Sequence, residues 1–249
     1  MARCTTTIEQ VKKDSLKYLG VVLSDDISGA SIPALIAKDE TYAQYLNNMD
    51  EPINTAIMRM VDVGALPLKT LRIEYKDVYE EGISTNGRNM FISVETLLPT
   101  CREIKKIDFY AAMGGLYPDI DYGTVGTSDI VLPILRKGEQ YVLHYSYIPE
   151  RISPFMSLSE TAKQWKAKCE AEGLELETGE GAYNKNVLDI PDDLANLIQY
   201  YVFGALYIHE EPTVAMYQGT NKFEAYLSQY VPAEHVKNNK IINIFGGLN

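Results

Sequence analysis

The stretch Ile53-Asn54-Thr55-Ala56-Ile57-Met58-Arg59-Met60-Val61-Asp62-Val63-Gly64-Ala65-Leu66-Pro67-Leu68-Lys69-Thr70-Leu71-Arg72-Ile73-Glu74-Tyr75-Lys76 changes period partway along. Ile53, Ala56, Ile57, Met60 and Val61 recur at three and four residues, the spacing of one apolar helix face. Gly64 and then Pro67 close that helix in the usual order. Beyond them Leu71, Ile73 and Tyr75 alternate with Arg72, Glu74 and Lys76, the pattern of a half-buried strand. Helix therefore gives way to sheet near residue 69, and the chain must combine the two.

Upstream the reading is helical. Thr7-Ile8-Glu9-Gln10 has the form of a capping box, with Thr7 as N-cap and Gln10 reaching back. Ile8, Val11, Ser15 and Leu19 then follow at helical spacing as far as Gly20. A turn-rich link runs from Ser24 to Gly29, and Ser31 before Pro33 suits another helix start. Residues from Thr41 to Gly64 read as a long, bent helical stretch, broken at Asp50-Glu51-Pro52 because proline lacks a donor.

Downstream, Asn86-Gly87 is a hairpin signal. Met90, Ile92 and Val94 resume the alternation, and Ile107-Asp108-Phe109 offers a further short strand. Asp129 to Leu135 is another, with Pro133 marking an edge or a bulge. Tyr141, Leu143, Tyr145 and Tyr147 define a strand whose two faces are both largely apolar, which places it centrally in its sheet. Several short strands within about 80 residues predict a compact β-sandwich or barrel-like module. Glu160 to Ala171 reads as a charged helix around Trp165, and Glu172 to Gly181 as an exposed acidic loop.

Helix returns at Pro191-Asp192-Asp193, where proline fits the first turn and the acids complement the helix dipole. Leu194, Leu197, Ile198, Tyr201, Val202, Ala205 and Ile208 fill one face. Tyr200, Phe203 and Tyr207 fall on the opposite side, which is explained either by a helix buried all round or by packing on a neighbouring subunit. His209-Glu210-Glu211-Pro212 breaks the helix, and Met216, Gly219, Phe223, Tyr226, Leu227 and Tyr230 mark the next. In the tail, Ile241, Ile242, Ile244 and Phe245 are too glycine-flanked for a helix. That run suits a strand, added to the protein's own sheet or to the sheet edge of a partner.

The expected fold class is α+β. A discontinuous helical domain (1–69 and 187–236) carries an inserted antiparallel β-sandwich or barrel-like module (70–156). A charged insertion (157–186) and an extended C-terminal arm (237–249) complete the chain.

The composition narrows the function. The 249 residues are 46% hydrophobic and 23% charged, an ordinary globular balance, with no apolar run long enough to span a membrane and no secretory signal. A soluble protein made in the cytosol is expected, with no membrane partner. Cys4, Cys101 and Cys169 are too scattered for a disulfide framework. A net charge of −11 opposes sequence-specific DNA binding, yet suits a surface along which DNA passes without sticking. The 18 tyrosines suit interfaces and sheets equally.

Chemistry-bearing motifs are sparse. His144, His209 and His235 have no metal-ligand spacing, and G-x-S-x-G, the P-loop and the dinucleotide fingerprint do not occur. Met113-Gly114-Gly115-Leu116 opens no helix and reads as a turn. Asp119-Ile120-Asp121-Tyr122-Gly123 begins like a calcium loop but lacks the closing glutamate, so a solvated β–β loop is expected there. No catalytic residue, cofactor or metal is assigned, and the protein is expected not to be an enzyme. A contrasting reading is a ligand-binding β-module, or a hydrolase using Asp119 and Asp121 in a deep pocket.

The order of elements, with Leu188-Asp189-Ile190-Pro191-Asp192-Asp193-Leu194-Ala195-Asn196-Leu197-Ile198-Gln199-Tyr200-Tyr201-Val202, the acidic break Glu210-Glu211-Pro212 and the helix end Phe223-Glu224-Ala225-Tyr226-Leu227, resembles the head-to-tail adaptor (connector) proteins of tailed bacteriophages, podovirus-like members above all. Asn54 to Pro67 is similar to the adaptor's early helix. Residue-level similarity covers about 45 positions near the C-terminus, and residues 160–186 match nothing in the pattern. The resemblance implies a virion ring subunit, commonly in a dodecamer, joining portal to tail and lining the DNA channel. Its partners would be further copies of itself, the portal and the tail or neck proteins, and genomic DNA would pass without specific binding. Tyr200, Phe203 and Tyr207 would then face the neighbouring subunit. Ile241, Ile242, Ile244 and Phe245 would form an arm on the portal or an adjacent subunit. A stopper or tail-terminator ring is the related alternative.

Overall fold

The computed structural model describes residues 3–20, 32, 35, 41–126, 129–152 and 187–231. The expected charged insertion, the link at 24–29 and the C-terminal arm lie outside the described residues. The chain is α+β and divides into two units, Met1–Ala65 with Pro149–Asn249, and Leu66–Ile148.

The first unit is built from helices. Helix α1 (Ile8–Tyr18) starts where Thr7 Oγ1 accepts from the Gln10 N–H at 3.2 Å. Only half of the expected capping box forms, because the Gln10 amide turns forward to Asp14 at 2.9 Å instead of back to Thr7. Helices α2 (Thr41–Asn47) and α3 (Asp50–Asp62) meet at the expected break. Proline is tolerated there because it falls in the first turn of α3, where its missing N–H has no helical partner. Ile53, Ala56, Ile57, Met60 and Val61 are buried, as the period predicts.

The returning chain is fastened by side chains. Asn54 donates from Nδ2 to the Ile152 carbonyl at 2.9 Å and accepts from the Ile152 N–H at 2.8 Å, a backbone-like pairing by one amide. The segment 187–192 meets the N-terminus through a Thr7–Val187 bridge and the Leu188 N–H to Thr6 carbonyl bond. Helices α4 (Val94–Leu97, in the second unit), α5 (Asp192–Ala195) and α6 (Ile198–Tyr207) come next in chain order. Then α7 (Pro212–Val214) runs through a π turn (Ala215–Thr220) into α8 (Asn221–Leu227).

That π turn corrects the expected stripe. Its extra residue per turn rotates the downstream helix about its axis, so Gly219, Phe223 and Leu227 are buried while Met216, Tyr226 and Tyr230 are exposed.

Asp192 anchors the N-terminal segment. Its carboxylate accepts from the N–H and hydroxyl of Thr5 at 2.7 and 2.8 Å, and from those of Thr6 at 2.8 Å each. These donors, the Thr5 N–H foremost, hold its pKa well below the usual aspartate range. The stabilisation is therefore complete above the unfolded aspartate pKa of about 3.9 and declines as pH falls towards the native value. Asp192→Asn is expected to lower the melting temperature at pH 7. The gap between variant and wild type should narrow steadily below pH 4, and a gap constant from pH 7 to 2 would contradict this role.

The second unit holds two four-stranded antiparallel sheets. The first has strand order β1 (Lys69–Glu74), β8 (Gln140–Tyr147), β4 (Cys101–Tyr110), β5 (Leu116–Tyr117). The second has order β2 (Ile83–Thr85), β3 (Asn89–Ser93), β7 (Asp129–Pro133), β6 (Gly123–Val125). Ile73, Ile107, Tyr141, Leu143, Tyr145 and Tyr147 from one sheet share a core with Met90, Ile92, Ile130 and Leu132 from the other. A common core between two sheets is a sandwich. The Tyr141 hydroxyl donates across it to the Pro133 carbonyl at 3.0 Å, and burial pushes that phenol up to about 12.

Three strand expectations need adjusting. The strand at Ile107–Phe109 runs the full length of Cys101–Tyr110, because long charged side chains at Glu103, Lys105 and Lys106 hide its alternation. Pro133 sits at the end of an interior strand rather than on an edge, so it costs the ladder little. The Tyr141–Tyr147 strand is interior as expected, but its second face carries the half-buried His144 and Ser146 and is not apolar. The Asn86-Gly87 hairpin forms as predicted, with Gly87 at φ 85°.

Candidate assembly surfaces

The second face of α6 is occupied largely from within the chain. Tyr18, at the end of α1, packs edge-on against Tyr200 at 4.9 Å and Phe203 at 5.2 Å. Phe203 stacks on Tyr207 at 5.0 Å, and Tyr200 lies 5.5 Å from Tyr226 of α8. The Lys222 ammonium sits over Tyr200 at 4.5 Å and donates to the Tyr18 hydroxyl at 3.2 Å, which holds its pKa above the ordinary lysine value. The Tyr18 hydroxyl in turn donates to the Gln218 carbonyl at 2.9 Å. Tyr200 and Tyr207 are half-buried and Phe203 is buried. Much of their aromatic packing is therefore supplied inside the unit, chiefly by Tyr18, which follows Val11 by seven residues and Ser15 by three at the margin of the α1 stripe. Ile241, Ile242, Ile244 and Phe245 lie outside the described residues.

Apolar exposure lies elsewhere. In the helical unit, Tyr217 is 72% exposed beside Met216 at 51%. In the sandwich, Met113, Leu116, Tyr117, Tyr122 and Val125 are all exposed. These five belong to one continuous stretch, the β4–β5 hairpin, the loop 118–122 and β6. That stretch leaves the edge of one sheet and enters the edge of the other. Residues 121–126 are exposed throughout, and among the described residues no strand pairs with the outer side of β6.

Asp119 and Asp121 are both exposed, so they do not converge in the deep pocket that a hydrolase using them would need. Asp119 acts through its backbone: at φ 51° its N–H donates to the Asp108 carboxylate at 3.1 Å. The small polar side chain makes this left-handed position tolerable.

Asp108, buried on the face of β4 turned from the core, also accepts from His144 Nε2 at 2.8 Å and Lys106 Nζ at 3.1 Å. Burial raises its pKa, but the Asp119 N–H, Lys106 and His144 together outweigh that and leave it lowered. The carboxylate thus ties β4, β8 and the 118–122 loop together. Sequence alternation alone pairs Asp108 with the outer face; only the β4–β8 register, which sets Lys106 opposite His144, brings the histidine diagonally within reach. Among the described residues, no group of three or more histidine, cysteine, aspartate or glutamate side chains is placed to hold a metal ion.

These features define a protein with an insertion of two-sheet architecture in a helical unit, each part showing apolar surface to solvent. No protein-family model, curated protein or solved structure matches the chain.

Proposed function

We propose that the chain is a structural subunit of a tailed-bacteriophage neck, an adaptor ring component that joins portal to tail around the DNA channel. The observation that carries this reading is the pairing of an inserted sandwich with a helical unit, each exposing large apolar side chains such as Tyr117 and Tyr217. Large aromatic side chains at the surface fit packing between subunits, where they bury much area at little entropic cost. The resemblance of residues 188–202 and 223–227 to adaptor helices supports this class of assembly, and the net charge of −11 suits a wall that DNA slides past. On this reading the protein is no enzyme, its place is the virion neck, and its partners are its own copies, the portal and tail proteins.

Native mass spectrometry and electron microscopy of the full chain, alone and with portal, test the proposal. Closed rings, dodecameric in the simplest case, are expected. A strict monomer that ignores portal and tail proteins would reject it. A ring found on the tail side of the neck would reassign it as a stopper or terminator.

A further inference from the structure

We infer that the exposed edge of β6 is the acceptor for the C-terminal tail of a second copy of this chain, which adds to the sheet as a strand. Gly123–Val125 forms the outermost strand of its sheet, and the residues from 121 to 126 are all exposed. An edge of this kind offers a row of unpaired backbone donors and acceptors, a template for one further strand. Its surroundings are apolar and acidic at once: Tyr122 and Val125 stand beside Asp119 and Asp121. Asp119 is held in place because its N–H is fixed to the buried Asp108 carboxylate. A matching strand must therefore be apolar, rich in β-formers and led by positive charge.

The chain contains such a segment. Lys237 and Lys240 precede Ile241-Ile242-Asn243-Ile244-Phe245, in which Ile242 and Ile244 alternate with Ile241, Asn243 and Phe245. In a chain with 34 acids and 23 bases, residues 232–249 hold two lysines against the single Glu234, so this is a locally basic piece of an acidic protein. β-branched isoleucines suit a strand, and the two lysines complement Asp119 and Asp121. Beyond Val231 this segment reaches up to roughly 60 Å if extended. The choice of a second copy as the donor rests on the ring reading above.

Zero-length carbodiimide cross-linking tests it, because the reagent joins a lysine only to a carboxylate in direct contact. The full chain is prepared unlabelled and with nitrogen-15, mixed in equal amounts, cross-linked and mapped by mass spectrometry. Links from Lys237 or Lys240 to Asp119 or Asp121 that pair the two isotopes are expected. Links confined to one isotope would place the tail on its own chain and overturn the inference, as would their absence. In parallel, Asp119→Lys with Asp121→Lys is expected to raise the concentration at which the oligomer assembles by roughly tenfold. Adding Lys237→Glu and Lys240→Glu to the same chain is expected to restore it. An oligomer indifferent to both sets would also overturn the inference.

The two readings fail separately. Closed rings without mixed-isotope links would keep the ring and discard the tail contact. Mixed-isotope links in a dimer or open chain would keep the contact and discard the ring.

Discussion

Gly219→Ala is expected to lower the melting temperature by roughly 4–8 °C, although alanine is the better helix former. Gly219, in the π turn, and Gly204, in α6, cross with their backbones in contact. A Cβ on Gly219 would lie 2.6 Å from the Gly204 nitrogen and 3.1 Å from the Tyr200 carbonyl oxygen. A Cβ on Gly204 would lie 2.7 Å from Thr220 Oγ1 and 2.9 Å from the Thr220 nitrogen. These neighbours are mostly backbone, so neither helix yields by turning a side chain. Two effects oppose each other. Helix propensity favours alanine by up to about 1 kcal/mol. Overpacking costs about 1–3 kcal/mol, and a contact with backbone on both sides falls at the upper end; in a chain of this length each kcal/mol moves the melting temperature by roughly 2–4 °C. The steric term wins. Ala205→Gly on the same helix is the control, since it has only the propensity term and should cost about 1 kcal/mol at most. Scanning calorimetry of the three proteins checks this, and a Gly219→Ala variant melting at or above wild type would refute the close crossing.

The second large effect is expected at Lys12. This lysine is 1% exposed, and its ammonium lies 2.6 Å from Asp50 Oδ1 and 3.2 Å from the Leu46 carbonyl, which accepts its hydrogen bond. It pins α1 to the junction of α2 and α3. Lys12→Met keeps the stem volume but removes the cation, and the Asp50 side chain, only 15% exposed, is left without it. Breaking a buried pair from one side costs about 3–5 kcal/mol; the partial exposure of Asp50 places the expected loss near the lower end. Lys12→Met with Asp50→Asn removes both charges and should recover at least half of that loss. Urea unfolding with linear extrapolation measures all three. A single variant as stable as wild type, or a double variant no better than the single, would show that the pair contributes little.

Lys12 also shows how far local pattern reaches. It stands four residues from both Ile8 and Leu16, inside the buried stripe of α1, yet periodicity classes a lysine as polar and passes over it. Its burial depends on a carboxylate 38 positions away being brought to it, and no local period records that. Tyr18 stands at the margin of the same stripe, seven residues after Val11, and the rings it meets, Tyr200 and Phe203, are ones no local period could name. Counting apolar faces on one helix leaves two explanations for these aromatics, a helix buried all round or packing on a neighbouring subunit. The tertiary structure fills much of the second face from α1 and α8.

The turn of period between residues 53 and 76 was decided locally. Apolar side chains at three- and four-residue spacing bury only as a helix, and alternating ones only as a strand, whatever surrounds them. The helix-to-sheet order, the break at Pro52, the Asn86-Gly87 hairpin and the interior position of the Tyr141–Tyr147 strand all follow from such short-range rules. What the tertiary structure alone decided is which distant groups meet. The β4–β8 register sets His144 diagonally to Asp108, and the glycine crossing places residues 204 and 219 backbone to backbone. Among the described residues, the strand order leaves β5 and β6 as outermost strands. Each depends on pairing between segments far apart in the chain, where the outcome is fixed by the best joint packing of all elements and not by the preference of any one.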